Sequence, residues 1–330
     1  MLLEFDSDQR FWQQTVREAV GRHCPPALVR DVVDRGADPG ALWKLYVEQG
    51  WTALTDPADA VELTIVLEEL GRATDPTPYL ATMTQYAPLA GAAEPAVAGA
   101  ALFDGVAAHR DGAGWRLDGT AQVLDGDRAE RLAVATGAGV FVLPAAAVSA
   151  RRIAVFDPVL HVAQVTLDGV RVAESDRVAT DVARAKAAAL TGLAATGVGA
   201  CARVLELVVA HVRERKQFGA PIGSFQAVQH KAADMHIAVQ RARALTYWAA
   251  LTASAADPRA PLAAVMAKAA AGECQALVFR NGLQLFGAMG FTWENDVQFA
   301  LKRAKAVDLL LGGADEHRAT IAREYRAAVV

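Results

Sequence analysis

The 330-residue chain is 53% hydrophobic, which is enough for two or three packed domains and excludes a mini-protein, a disordered tail and a fibrous repeat. Its 33 Lys and Arg residues are outnumbered by 37 Asp and Glu residues, and this formal net charge of -4 argues against nucleic acid as a partner. The apolar runs are short and rich in Ala and Gly, and the first ten residues are acidic where a signal peptide is basic. We therefore expect a soluble, cytoplasmic protein without a membrane span.

The cysteine and histidine residues follow no metal-binding pattern. Cys24, Cys201 and Cys274 are far apart and lack CxxC or CxxH spacing, and the seven histidines form no HExxH pair. We interpret the cysteines as reduced thiols in the core and predict no metal site.

The first zone, residues 1–92, has the three-to-four-residue periodicity of amphipathic helices. Its third helix is predicted to end at Gly71, before the turn-forming sequence Asp75-Pro76-Thr77-Pro78. The apolar residues that recur at helical steps are Phe11, Val16 and Val20, then Leu42, Leu45 and Tyr46, and finally Val61, Ile65, Leu67 and Leu70. This zone is predicted to be an N-terminal helical domain.

The middle zone, residues 93–175, changes to a period of two, with short apolar runs separated by Gly and Asp. Its Asp-Gly pairs supply the positive-φ corners that hairpins need. The predicted strands cover residues 121–124, 131–135, 140–143, 153–156 and 161–167. We expect a compact antiparallel sheet or barrel.

The last zone, residues 176–330, returns to long Ala-rich helices. Breaks at residues 219–221, 257–261 and 287–290 leave four or five antiparallel helices, which is the content of a helical bundle. The small residues between Gly192 and Gly199 follow no strand and lack the lysine of a phosphate loop, so we attribute them to close helix packing. The predicted fold class is mostly α with a central β domain.

One segment, residues 213–235, reads RERKQFGAPIGSFQAVQHKAADM and combines amide, aromatic and glycine residues at a helix–helix corner. Its charged residues alone need no ligand, because cations at a helix C-terminus interact favourably with the helix dipole. The whole segment, however, resembles the motif RxxFGxPIxxFQxxQxxxADM of the acyl-CoA dehydrogenase family. The resemblance continues at LWKLYVEQGW (42–51), VLEELGRATDPTPYLAT (66–82), LQLFGAMGF (283–291) and AREY (322–325).

The resemblance implies the three-part fold and the flavin cofactor of the family. Members have an N-terminal helical domain, a β-barrel-like middle domain and a C-terminal four-helix bundle, and they bind FAD at a subunit interface. Residues of the RxxFG motif and of a later QxxGGxG stretch reach the FAD that a neighbouring subunit holds, since guanidinium pairs with phosphate and glycine admits close backbone approach. The matching positions, and hence the predicted FAD-binding residues, are Arg215, Gln217, Phe218, Gln284, Gly287 and Gly290. Ala288 departs from the pattern, because the family usually has glycine there.

The groups that a subunit supplies to its own FAD differ from the family pattern. Members have a TEPxxGSD loop beside the flavin ring, whereas residues 100–112 of this chain read AALFDGVAAHRDG. The catalytic glutamate of the family lies in a YEGT-type sequence, and Leu311 aligns with that glutamate. Some members have the catalytic glutamate on an earlier helix, at a position that falls near Ala189 in this chain. The resemblance therefore implies that neither position supplies a base.

Other carboxylates near these positions have simpler explanations. Negative charge is favourable at the start of a helix, which explains four of them without a catalytic role. These four are Glu294, Asp296, Asp315 and Glu316. Glu206 and Glu273 remain candidates for carboxylates that face the core.

Dehydrogenation of an acyl-CoA needs a base at the α carbon, a hydride acceptor at the β carbon and donors to the thioester carbonyl. A chain that keeps the contacts to a neighbour's FAD but lacks a base can complete a partner's site. This division resembles the short subunits of actinobacterial heteromeric (α2β2) acyl-CoA dehydrogenases of sterol catabolism. It implies FAD, a partner subunit, an electron-transfer acceptor and an acyl-CoA substrate, with a steroid-derived CoA ester as one candidate. The alternatives are a homomeric acyl-CoA dehydrogenase with a relocated base and a non-catalytic structural or regulatory homologue.

Overall fold

Helices occupy both ends of the chain and strands occupy its middle. The computed structural model describes residues 4–92 and 94–327. The helices are α1 (Ser7–His23), α2 (Pro26–Arg35), α3 (Gly40–Glu48), α4 (Ala60–Ala73), α5 (Tyr79–Ala81), α6 (Ala87–Ala90), α7 (Val182–Glu214), α8 (Gln226–Ser254), α9 (Ala260–Phe286), α10 (Val297–Leu309) and α11 (Ala314–Ala327). The strands are β1 (Gly99–Leu102), β2 (Val106–Asp111), β3 (Gly114–Leu124), β4 (Arg131–Thr136), β5 (Gly139–Pro144), β6 (Ser149–Ile153), β7 (Val162–Val172), β8 (Arg177–Val178), β9 (Lys216–Gln217) and β10 (Ala220–Pro221). This order confirms the predicted class, mostly α with a central β domain.

The helix α4 ends later than the sequence predicts. It passes through Gly71, continues to Ala73 and stops at Thr74, whose φ of 59° is left-handed. Gly71 instead lies where α4 crosses α7, since a Cβ there would be 2.2 Å from the carbonyl oxygen of Thr196. Among the apolar residues that predicted α1, Phe11 also differs from expectation, because it is 73% exposed.

The middle of the chain forms two four-stranded sheets, with strand orders β1-β4-β5-β8 and β2-β3-β7-β6. Their inner faces share one core, to which Phe141 and Val165 contribute from opposite sheets. β1 and β4 run parallel, with Gly99 opposite Arg131, so the prediction of a purely antiparallel sheet is wrong. The sheets of the described residues do not close into a barrel.

One of the five predicted strands is misplaced. The prediction over residues 153–156 is wrong, because β6 ends at Ile153 and the chain then turns away from the sheet. Asp157 explains the turn: its side chain accepts a hydrogen bond from the Val159 amide at 2.9 Å and pairs with Arg303 of the bundle at 2.6 Å. The other four predicted strands fall within β3, β4, β5 and β7, apart from His161, which precedes β7.

Helices α7 to α11 form the C-terminal bundle that the sequence predicts. Its small residues permit close approach between helices, because a Cβ on Gly199 would lie 1.9 Å from the Glu68 carbonyl oxygen. A Cβ on Gly192 would lie 2.4 Å from the side chain of Thr84. These contacts confirm that the glycines of this stretch serve helix packing. The three cysteines are buried free thiols, as expected.

Two helical segments of the bundle are long and apolar. Val182–Glu214 and Ala260–Phe291 reach the length and hydropathy of a membrane span, which corrects the expectation that the apolar runs are too short. The most apolar window of each is mostly buried inside the protein, 67% and 61% respectively. Burial of this kind is typical of the central helices of a bundle, which are apolar on every side.

The three zones are joined by short connections. α6 ends at Ala90 and β1 begins at Gly99, while β8 ends at Val178 and α7 begins at Val182. The division into domains of residues 1–92, 93–175 and 176–330 stays a prediction; its second boundary falls just before β8, which pairs with β5.

Candidate functional site

A tight hairpin follows α7 and carries three of the predicted FAD-binding residues. In its two strands Gln217 pairs with Ala220, and the turn between them consists of Phe218 and Gly219. Both turn residues are left-handed, with φ of 53° and 79°, a conformation that suits glycine but is uncommon for phenylalanine. The turn therefore projects the Phe218 side chain away from the protein, where it is 93% exposed.

Arg215 and Gln217 stand beside this turn with their side chains toward solvent. Arg215 is the C-cap of α7, and its carbonyl oxygen accepts from the Ile222 amide at 2.8 Å, which fixes the start of the hairpin. Its guanidinium has no hydrogen-bond or ion-pair partner among the described residues. Gln217 donates from Nε2 to the adjacent Lys216 carbonyl at 2.8 Å, which leaves its Oε1 without a bond within the described chain. The hairpin thus offers a free cation and an amide.

The end of α9 carries the other three predicted residues. Gln284 is exposed in the last turn, and Gly287 ends the helix with φ 61° and ψ -141°, which only glycine adopts readily. A Cβ on Gly287 would meet nothing within 4 Å, so its backbone faces open space. Gly290 differs because it is buried, and a Cβ there would lie 3.1 Å from the Cβ of Phe286. Gly290 therefore packs the turn, whereas Gln284 and Gly287 face outward.

The hairpin and the end of α9 lie at the same end of the bundle. The ring of His211, in the last turn of α7, stacks on the ring of Phe286 with centroids 4.7 Å apart. Burial, followed by the nearby Arg215 cation, lowers the pKa of His211 and favours the neutral imidazole. This contact joins the helix that ends at Arg215 to the helix that ends at Gly287.

The donor set at this end fits an FAD that is presented from outside the chain. A free guanidinium suits pyrophosphate oxygens, an exposed glycine with no side chain permits close backbone approach, and an exposed aromatic ring suits a planar group. Ala288 is also exposed, so its extra methyl group causes no conflict within the chain. Five of the six predicted residues are thus accessible at one end of the bundle.

The segment where family members have the flavin-lining loop is short in this chain. Only residues 103–105 connect β1 to β2, which is too short for a loop that lines a flavin ring. A separate small cavity lies between α4, the end of β3 and the bundle, lined by Asp75, Asp125, Thr196 and Arg303 among others, and measures about 10 Å³. A cavity needs about 10–15 Å³ to hold a single water. It therefore admits neither a flavin nor a thioester.

Buried ion pairs occupy the surroundings of this cavity. Arg303 pairs with Asp157 at 2.6 Å, both almost fully buried, and donates to the Asp75 carbonyl at 3.0 Å. The hydroxyl of Tyr46 donates to the Asp75 carboxylate at 3.0 Å, and burial raises the pKa of Asp75 to about 6. These groups link the N-terminal helices, the sheets and α10 through side chains packed between them.

The two positions that align with the family's base lie in apolar surroundings. Leu311 is left-handed, with φ 55°, and packs half-buried against Ala187, Leu190 and Ala264. Ala189 is fully buried on the same turn of α7. Neither the residues nor their neighbours in this cluster offer a carboxylate.

A buried lysine holds the segment around Leu311 and is absent from the sequence-based predictions. Lys268 of α9 donates from Nζ to the carbonyl oxygens of Asp308 and Gly312, at 2.7 and 2.8 Å. The signal for it was a single lysine within a long apolar stretch, AVMAKAAAG, where a charged side chain needs buried partners. Its carbonyl partners at the end of α10 have no sequence signature.

Five of the six remaining carboxylates have an ion-pair partner or lie in the first turn of a helix. Asp296 is the N-cap residue of α10 and pairs with Arg30, and Asp315 and Glu316 lie in the first turn of α11. Glu206 and Glu273 do not face the core: Glu206 pairs with Arg72 at 2.7 Å, and Glu273 with Arg241 and Arg318 at 2.7 and 3.0 Å. Glu294 is exposed.

Known proteins are similar to this chain in sequence and in fold. The family described as Acyl-CoA dehydrogenase, C-terminal domain, matches residues 168–325. Acyl-CoA dehydrogenase IpdE2 of Mycobacterium tuberculosis (strain H37Rv) is 34% identical over 315 residues, which cover 92% of this chain and 93% of the relative. Among solved structures, the Tcur3481-Tcur3483 steroid ACAD is 25% identical, with a TM-score of 0.85 over 98% of this chain and 99% of the other. The ChsE4-ChsE5 complex from Mycobacterium tuberculosis is 24% identical, with a TM-score of 0.88 over 99% of both chains, and confirms the predicted fold.

Proposed function

Because this chain belongs to the acyl-CoA dehydrogenase family, we propose that it serves FAD-dependent α,β-dehydrogenation of an acyl-CoA thioester as one subunit of a heteromeric enzyme. In this role it completes the FAD site of a partner subunit and contributes no catalytic base. One contrast carries the proposal. Five of the six residues predicted to contact a neighbour's FAD are exposed at the end of the bundle, whereas only three residues connect β1 to β2, where members have the flavin-lining loop, and the base positions are Leu311 and Ala189.

The residues at the end of the bundle have distinct roles in this proposal. When bound, FAD supplies the hydride acceptor for the β carbon. The free Arg215 guanidinium pairs with its pyrophosphate, Gln217 and Gln284 donate amide hydrogen bonds, and the Gly287 backbone approaches the cofactor. Phe218 adds an aromatic contact across the subunit interface. The base at the α carbon comes from the partner.

The substrate class and partner follow from similarity. The likeness to the Tcur3481-Tcur3483 steroid ACAD supports a steroid-derived CoA ester as the substrate class. The partner in this proposal is a longer family member that keeps the flavin-lining loop and the catalytic glutamate. An electron-transfer acceptor reoxidises the flavin, and the enzyme works in the cytoplasm.

Expression with and without a partner tests the proposal. We expect the chain purified alone to carry little flavin, since it offers only the outer half of a site, and co-expression with a longer family member from the same genome to yield a flavin-loaded complex. Flavin absorbance per polypeptide and acyl-CoA-dependent reduction of an artificial electron acceptor are the measurements. Yellow, stoichiometrically loaded protein that dehydrogenates acyl-CoA without a partner would favour a homomeric enzyme with a relocated base and refute the proposal.

Arg215→Ala tests the shared site at residue level. A hydrogen bond to a charged group contributes about 1.5–3 kcal/mol, and about 1.4 kcal/mol corresponds to a tenfold change in affinity. We therefore expect Arg215→Ala to weaken FAD binding in the co-purified complex by roughly one to two orders of magnitude, as measured by flavin titration. Lys216→Ala is the matched control, because Lys216 follows Arg215 at the same helix end but matches no FAD contact in the family. Equal titration curves would mean that both cations only compensate the helix dipole.

A further inference from the structure

The segment between α9 and α10 begins at Gly287, and we call residues 287–296 the Gly287 loop. Its C-terminal end is held by α2, a helix from the other end of the chain. Arg30 of α2 donates from Nη1 to the Trp293 carbonyl at 3.1 Å and from Nη2 to the Glu294 carbonyl at 3.4 Å. The same Nη2 reaches the Asp296 carboxylate at 2.5 Å. One guanidinium thus bonds to three residues of a turn that lies more than 260 residues away in sequence.

Trp293 is the second part of this contact. Its indole Nε1 donates to the Asp34 carboxylate at 3.0 Å, and its ring lies 4.7 Å from the Lys302 ammonium. Asp34 stands one helical turn after Arg30, so both side chains project from the same face of α2. We call Arg30, Asp34 and Trp293 the α2 clamp.

The α2 clamp adds a long-range contact to an exposed segment whose end also contacts α10, because Gln298 Nε2 donates to the Trp293 carbonyl at 2.5 Å. Between α9 and α10, residues 287–296 form a 3-10 turn and a short loop, in which only Gly290 is buried and Phe291 is 76% exposed. α9 fixes the start of the segment, and the clamp fixes its end through backbone carbonyls. Exposed ion pairs add little to global stability, whereas a rigid guanidinium fork on several acceptors fixes geometry.

We propose that the α2 clamp positions the Gly287 loop for cofactor binding, with Arg30 and Asp34 acting as positioning residues that do not touch the cofactor. The inference rests on the proposed function, because it assigns the loop to an FAD held by a partner. The N-terminal helical zone thereby takes part in a site that is otherwise built by the bundle alone. A mobile loop would have to be ordered on binding, and that ordering cost reduces affinity.

Arg30→Met tests the inference, with Arg35→Met as the matched control. Arg35 lies on the same helix, but its side chain is 78% exposed and pairs only with Asp31 of α2. We expect Arg30→Met to weaken FAD binding in the co-purified complex about tenfold and Arg35→Met to change it less than twofold. Hydrogen exchange on the chain alone should be faster for amides 288–295 in Arg30→Met only. Arg30→Lys keeps the charge but not the fork, and we expect it to resemble Arg30→Met.

Two results would overturn the inference. Faster exchange with unchanged FAD affinity would make the clamp a local structural contact only, and unchanged exchange would mean that α2 does not hold the turn. Arg215→Ala separates this failure from failure of the proposed function. If Arg215→Ala weakens FAD binding and Arg30→Met does not, the function stands and only the positioning role falls. If neither substitution has an effect, the proposed function falls and this inference with it.

Discussion

Lys268 shows how one buried charge is tied to the segment of Leu311, the residue that aligns with the family's catalytic glutamate. Its side chain is 1% exposed, and its two carbonyl acceptors are at the end of α10 and beside Leu311. Burial lowers its pKa to about 8, although the Asp308 and Glu316 carboxylates partly oppose this shift. The lysine therefore fixes the Leu311 segment at the cost of a buried cation.

Lys268→Met should reveal this cost as a pH-dependent difference in the free energy of unfolding between the wild type and the variant. The unfolded chain keeps the ordinary pKa of 10.5, so between pH 8 and 10.5 it binds the proton more tightly than the folded protein does. Relative to the variant, wild-type stability should rise across this window, by up to about 3 kcal/mol at about 1.4 kcal/mol per pKa unit. Below pH 8 Lys268 is protonated in both the folded and the unfolded chain, so the stability difference between wild type and variant should be constant. Urea unfolding of both proteins at pH 7 and pH 10 measures this stability difference. A difference independent of pH would contradict the lowered pKa of Lys268 in the folded protein.

At the scale of elements, sequence patterns predicted which faces are buried better than which elements meet. The glycines of α7 were correctly assigned to helix packing, but the α4 residue that Gly199 contacts, Glu68, lies far earlier in the chain and leaves no mark on the pattern. Gly71 was interpreted as a helix stop, although it is the α4 side of such a contact with Thr196. A glycine both breaks helices and admits close approach, and the sequence does not separate the two uses.

The strands show the same limit. A period of two reports that alternate residues face a core, but it carries no information on strand direction, and the parallel pairing of β1 with β4 was missed. The structure brings both groups of candidate site residues to one end of the bundle, and their contacts with FAD stay a prediction from the sequence. The sequence could not predict that Gly290 is buried, or that Arg30 reaches the turn after it, because both depend on tertiary packing.

At the scale of the molecule, buried polar contacts bind the three zones into one structure. Arg303 of α10 joins Asp157 after β6 to the Asp75 backbone after α4, and Arg128 bonds both Asp125 and the Pro76 carbonyl. Breaking one partner of a buried ion pair is costly, because the other charge is left uncompensated. These contacts are therefore a stable part of the fold, and separating the three zones would break them.

Leu311→Glu, expressed without a partner, tests whether the missing base is the only obstacle to independent activity. We expect no acyl-CoA-dependent reduction of an artificial electron acceptor, because the three-residue connection between β1 and β2, where members have the flavin-lining loop, is a separate defect from the missing carboxylate. Base and cofactor must be present in one site for the reaction to proceed. Leu309→Glu is the control, since Leu309 precedes Leu311 by two residues and is 59% exposed, so it receives the same charge without pointing it at the apolar cluster. Substantial turnover by Leu311→Glu, but not by Leu309→Glu, would mean that the chain opens a flavin and thioester site of its own and needs only a base to use it.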